Sequence, residues 1–306
     1  MASRAFIAGL AGLKVSADER AFFREARPWG LIVFKRNVSN PAQLADLVLS
    51  FRDIVGWPAP VLVDQEGGRV RRLQPPHWPA YPPGTVYSAL YDREPALGLS
   101  AARLGGHLIA ADLKAVGIDV DCLPLADVPV QGADAVIGDR AYGHEPGKVA
   151  AIAAAVAAGL QAGGVLPVLK HLPGHGHVVF SALDPGVPAT TSVTMVQQVI
   201  RGFIGFEGLL MSDDISMGAL SGTLAERARA ALVAGCDLVL HCNGDLAEMV
   251  QVAGAVPELS GEAAARAERA LNARHAGEDF DVAAARKTFN DMVAAVTAPG
   301  ERTTGS

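Results

Sequence analysis

The amino-acid sequence predicts an α/β fold of parallel strands joined by crossover helices. Three observations carry this. Short apolar runs bounded by Gly, Pro or Asp recur along the chain, and Ala- and Leu-rich stretches of helical period lie between several of them. The runs are rich in β-branched residues and apolar without alternation, the pattern of strands buried on both faces. The 306 residues suit either two domains or a single α/β barrel with an appendage. Half of them are apolar and 19% are charged, a balance that buries a large core and excludes a disordered chain.

In chain order, strands are expected over residues 5–9, 30–34, 60–63, 118–125, 165–169, 209–211 and 238–240. A helix is expected over 41–54, where Asn40 caps and Pro41 takes the first helical position. Two more are expected over 99–116 and 148–162, and each of the three ends at or near a glycine, Gly56, Gly117 or Gly163. After Asn243 the pattern is wholly helical, with candidates at 246–255, 262–274 and 282–296, packing outside the barrel, while 298–306 is expected to fray. One place breaks the rhythm. A further strand-like run, His177-Val-Val-Phe180, follows 165–169 after about seven residues, whereas a parallel neighbour needs a crossover of about a dozen or more. Counting it gives eight strands, one of which lacks the helix that ought to precede it.

The formal charge of −6 offers no basic footprint for a phosphate backbone, so nucleic acid is not an expected partner. No apolar run reaches the length of a membrane span, and the N-terminus lacks the apolar core and cleavage site of a signal peptide. A cytoplasmic protein without membrane association is the expectation. Cys122, Cys236 and Cys242 are three in number, two of them inside apolar runs, and read as reduced thiols rather than a disulfide framework.

In strand-helix folds the polar residues at the carboxyl ends of strands face the site. Here those ends are Lys35-Arg36-Asn37, Asp64-Gln-Glu-Gly-Gly-Arg69, Asp127, Lys170-His171, Asp213-Asp214 and His241. Any one Asp after a strand is as readily a cap for the next helix. Six ends of this kind together point to a site. Asp213 and Asp214 are neighbours on extended backbone, so at most one lines the mouth directly and the other caps or supports it. Lys170 beside His171 suits hydroxyls or an acyl oxygen, or else Lys170 pairs with a nearby Asp. His171, His175 and His177 form His-x-x-x-His-x-His, which admits a metal-hydrolase reading. The intervening turn fixes no three rings on one side, and neither metal nor cofactor is expected.

Four ordered segments carry a family resemblance: Val63-Asp-Gln-Glu-Gly-Gly-Arg-Val70, Gly138-Asp-Arg-Ala-Tyr-Gly143, Lys170-His-Leu-Pro-Gly-His-Gly176 and Met211-Ser-Asp-Asp-Ile-Ser-Met217. They resemble the family-3 glycoside hydrolases, and more closely the bacterial β-N-acetylglucosaminidases of cell-wall recycling. The resemblance implies a (β/α)8 TIM-type barrel over residues 1–244 with a helical tail over 245–306 in the same domain. It implies a retaining hydrolase of terminal β-linked N-acetylglucosamine in muropeptide fragments, with Asp213 as the nucleophile. Asp64, Arg72, Arg140, Lys170 and His171 match positions that hold the sugar in the family.

The chain also departs from that pattern. The family follows Pro-Gly-His-Gly with a loop bearing Asp-Ser-His, whose His is the general acid/base, and no such triplet occurs here. The segment from His177 resembles the end of the family's next strand. A barrel incomplete or rearranged around its fifth and sixth strands is therefore expected, with impaired turnover. The alternative is a sugar-binding pseudoenzyme of the same fold.

Overall fold

The computed structural model describes residues 3–129, 136–174, 180–181 and 183–297. Its centre is one parallel sheet. Strands β1 (Arg4–Ala8), β2 (Pro28–Val33), β3 (Val61–Val63), β6 (Val120–Asp121) and β7 (Leu166–Pro167) pair in sequence order, while β10 (Met211–Asp214) and β11 (Leu238–Leu240) return to pair on the far side of β1. Every pairing is parallel.

Alternation sorts the strand residues. Phe6, Leu31, Val61 and Val63 pack outward into the layer beneath the helices, whereas Ile7, Ile32, Leu62 and Val120 form a separate cluster inside the curl of the sheet. The helices are placed by their ends. In α1 (Ala17–Ala26) Ser16 and Glu19 form a reciprocal capping box, and in α6 (Leu224–Ala234) Thr223 and Glu226 form another. In α2 (Pro41–Val55) the Asn40 side chain accepts from the Gln43 amide, and Gly56 at φ 76° closes the helix in the left-handed region. Helices α3 (Gly84–Arg93), α4 (Pro95–Lys114) and α5 (Pro146–Ala162) complete this side of the outer layer.

Among the described residues the sheet holds no eighth strand. Of the run 177–180, residues 177–179 lie outside the described residues. Phe180–Ser181 (β8) pairs antiparallel with β9 (Asp184–Pro188) in a two-stranded hairpin apart from the main sheet. Among the described residues the sheet has seven strands, and no strand bridges β7 to β10. The reason is the one the spacing gave: too few residues separate β7 from the run for a crossover. The result is a curled, incomplete TIM-type barrel. The stretch Thr194–Phe203, wound as a π-helix, lies on this side and buries Met195, Val196 and Ile200.

Helix α7 (Leu246–Ala255) packs against α6, α1 and β1. Helix α8 (Gly261–Asn272) crosses the amino ends of the strands, where Ala267 joins the interior cluster and Arg266 pairs with Asp237 at 3.0 Å. Helix α9 (Val282–Thr297) seats Phe289 against Tyr81 and Tyr87 over α3 and α4.

Candidate active site

The carboxyl ends of the strands bring the expected cations and acids into one chain of contacts. Asp64, just after β3, accepts from Lys170 Nζ at 2.8 Å and from Arg72 Nη2 at 2.7 Å. The same Lys170 Nζ lies 2.6 Å from Glu66 Oε1. Glu66 in turn binds Arg140 in the two-pronged manner, with both Nε and Nη2 at 2.8 Å. Arg72, Asp64, Lys170, Glu66 and Arg140 thus form one alternating row of charge. It joins residues from the ends of β3 and β7, the hairpin β4–β5 (Gln65–Gly67 and Val70–Arg71), and the loop before α5.

Burial pushes the Asp64 carboxyl up, but Lys170 and Arg72 outweigh it and hold its pKa down to about 2. Burial opposes charge on Lys170 as well, yet Asp64 and Glu66 raise its pKa above the ordinary lysine value. Asp121, deeper in β6, follows the other course. Burial dominates and raises its carboxyl well above the usual range, while its Oδ1 accepts from the Gln65 amide at 3.0 Å.

His171 is held by Asp127, whose Oδ2 lies 2.8 Å from the ring Nδ1 and 3.2 Å from the backbone amide. At the end of β10 the register shifts between Met211 and Asp214, a bulge of the kind that re-aims side chains. The two aspartates then separate in role. Asp214 accepts from the Ser216 amide at 3.0 Å, the Ser216 hydroxyl at 2.6 Å and the Cys242 amide at 3.2 Å. Asp213 is exposed and accepts the Asp214 amide at 2.7 Å. Asp64, Arg72, Arg140, Lys170, His171 and Asp213 all line a single cavity of about 750 Å³.

Sequence reasoning places Glu66 and Asp127 at strand ends without assigning them to the site; in the structure Glu66 links Lys170 to Arg140, and Asp127 holds His171. Glu66 stands in the Asp-Gln-Glu-Gly-Gly segment, so the motif held the signal. Its partner Arg140 is distant in sequence, and only the fold shows the pairing. Of the histidine cluster, His171 is committed to Asp127, and His175 and His177 lie outside the described residues. Among the described residues no group of three or more His, Cys, Asp or Glu is arranged to hold a metal. Cys122 and Cys236 are buried, Cys242 is half-buried, and all three are free thiols. No helix of the described residues is long and apolar enough to cross a membrane.

The model of the glycosyl hydrolase family 3 N-terminal domain matches residues 7–181 and 176–273, in two pieces that meet where the crossover is missing. The chain belongs to glycosyl hydrolase family 3. Similar curated proteins are the beta-hexosaminidase of Alkalilimnicola ehrlichii, 36% identical over 279 positions covering 77% of this chain and 79% of that one, and the beta-hexosaminidase of Nitrosomonas eutropha, 35% identical over 278 positions covering 76% and 79%. Aligned positions outnumber the residues this chain contributes, so each alignment holds positions for which the chain has no residue. Among solved structures, native NagZ from Neisseria gonorrhoeae superposes with a TM-score of 0.80 at 26% identity, covering 96% of this chain and 97% of that one. The same protein has been solved with N-trifluoroacetyl-D-glucosamine. This family 3 chain is therefore a glycoside hydrolase of the β-hexosaminidase lineage, and the resemblance drawn from its motifs holds.

Proposed function

We propose that the chain removes terminal β-linked N-acetylglucosamine from muropeptide or related amino-sugar fragments by the retaining route, with Asp213 as nucleophile. The observation that supports this is the row Arg72–Asp64–Lys170–Glu66–Arg140, which shares one cavity with the exposed Asp213 carboxylate. Each group has a task. Asp64 and Lys170 present an acceptor and a donor to adjacent hydroxyls, Arg72 and Arg140 supply further donors, and His171 is oriented by Asp127. The sugar is held while the Asp213 carboxylate attacks the anomeric carbon, the glycosidic C–O bond breaks, and the aglycone leaves with the electron pair. Water then displaces Asp213 from the ester, and the configuration is retained.

Both steps ordinarily use a second group, which protonates the leaving oxygen and then takes a proton from water. The sequence lacks the family's Asp-Ser-His loop that supplies it. A positioned acid or base contributes about 10² to 10⁴ in rate. Aryl glycosides of low leaving-group pKa need no proton in the first step, so they form the ester readily and hydrolyse it slowly. The kinetics of a dinitrophenyl β-N-acetylglucosaminide against a natural disaccharide test the reading. A burst followed by slow turnover, sped by azide, with the disaccharide at least about 10²-fold slower, is expected. Equal turnover of both substrates sinks the missing-acid account. The same gap favours a sugar-binding pseudoenzyme as second reading, which calorimetric binding of N-acetylglucosamine without a burst would establish.

A further inference from the structure

Asp213, the proposed nucleophile, stands on an irregularity of its strand. From Met211 to Asp214 strand β10 advances three residues while β11 advances two, from Leu238 to Leu240, so β10 carries one residue more than its partner. A bulge of this kind disrupts the ladder where it falls, and the backbone groups there need other partners. Ser212 supplies them. It is 4% exposed, and its hydroxyl accepts from the Leu240 amide at 3.0 Å and donates to the Asp213 carbonyl at 2.7 Å.

The carbonyl that Ser212 holds belongs to the peptide group joining Asp213 to Asp214. The N–H of that same group donates to Asp213 Oδ1 at 2.7 Å. A peptide group is planar, so fixing the direction of its C=O fixes the direction of its N–H. Ser212 Oγ, the 213–214 peptide and the Asp213 carboxylate are thereby joined in series. On the far side of the peptide, Asp214 is anchored by the Ser216 amide and hydroxyl and by the Cys242 amide. Among the described residues the second carboxylate oxygen, Asp213 Oδ2, takes no hydrogen bond.

We propose that Ser212 is a positioning residue for the nucleophile: its hydroxyl sets the plane of the 213–214 peptide, which holds Oδ1 and turns Oδ2 toward the anomeric carbon. The inference rests on the reading of Asp213 as nucleophile. Ser212 acts on the rate of ester formation and not on the hold on the sugar, which falls to the charged row.

The test is the pre-steady-state burst from a dinitrophenyl β-N-acetylglucosaminide, read beside calorimetric binding of N-acetylglucosamine. Ser212→Ala is expected to slow the burst about 10²-fold, the scale of an ångström's misplacement of a reacting group, and to leave the dissociation constant within about twofold. Ser212→Thr keeps the hydroxyl and recovers most of the burst rate, whereas Ser212→Val, of similar shape without it, does not. A general loosening of the barrel moves binding and burst together. Circular dichroism shows whether each variant is folded. Should none fold, the crystal structure of the wild-type ester, trapped with the sugar fluorinated at C5, decides: the ester is expected through Oδ2, with Oδ1 still on the Asp214 amide. A burst unchanged in Ser212→Ala, equal bursts in Ser212→Thr and Ser212→Val, sugar binding lost in step with the burst, or an ester through Oδ1 overturns the proposal alone. No ester on Asp213 in the wild-type chain overturns the nucleophile reading, and this proposal with it.

Discussion

Asp213 and Asp214 share a chemistry and a motif, yet their surroundings divide them. The Asp214 carboxylate is spent on Ser216 and Cys242, whereas Asp213 stands exposed at the cavity. With Asp213 in the proposed role of nucleophile, Asp213→Asn is expected to lower hydrolysis of an aryl glycoside by about 10³-fold or more with the fold intact. Asp214→Ala strands three donors and costs about 1–3 kcal/mol of stability, read by urea denaturation. Asp64 carries a pH signature. Its pKa is depressed from 3.8 to about 2, so the native state holds the carboxylate more firmly than the unfolded chain does. The stability it contributes is fully present above about pH 4 and is lost as pH falls toward 2. Asp64→Asn removes that dependence, which urea midpoints measured across pH 2 to 5 will show. At this scale the motifs made legible which residues line the cavity, because their polar chemistry is written in the residue types. Pairings such as Glu66 with Arg140 were not legible, because they depend on a loop brought across the mouth by the fold.

Strands and helices were legible where one principle governed them. The β11 and α7 ranges match the sequence expectation at both ends, and β1, β2 and β3 match to within two residues, because unbroken apolar runs admit few other readings. The strand expected over 118–125 shrinks to Val120–Asp121, as Pro124 has no N–H to give the ladder. Helices α1, α3 and α6 were not foreseen, since their sequences are polar or mixed and packing rather than apolar period holds them. Two of them carried a local signal in the capping boxes at Ser16 and Thr223. Ser16 Oγ accepts the Glu19 amide at 3.2 Å while Glu19 Oε2 accepts the Ser16 amide at 2.8 Å. Ser16→Ala is expected to cost about 1 kcal/mol, measured as a shift of the denaturation midpoint at unchanged slope.

For the whole molecule, the governing feature is the absent unit between β7 and β10. It was legible from spacing alone, because a parallel crossover has a minimum length that this chain does not meet. What stands in its place was not legible. A short antiparallel pair of strands and a π-helical stretch occupy this part of the chain; the apolar spacing of Met195, Val196, Val199, Ile200 and Phe203 is helical, but nothing in it distinguishes π winding from α. In the proposed function the absence bears on turnover rather than on binding. The charged row and Asp213 are assembled, while the group that exchanges protons with leaving oxygen and water is missing from the sequence pattern. On the proposed mechanism the chain is expected to accumulate the glycosyl ester from an activated substrate, and that ester has a defined mass and place. The decisive measurement is peptide mass spectrometry after brief exposure to a dinitrophenyl β-N-acetylglucosaminide fluorinated at C5. One sugar added per chain, on the peptide that holds Asp213 and lost in Asp213→Asn, is the result expected. A label on another residue, or none under conditions that label a family member with the complete loop, would contradict it.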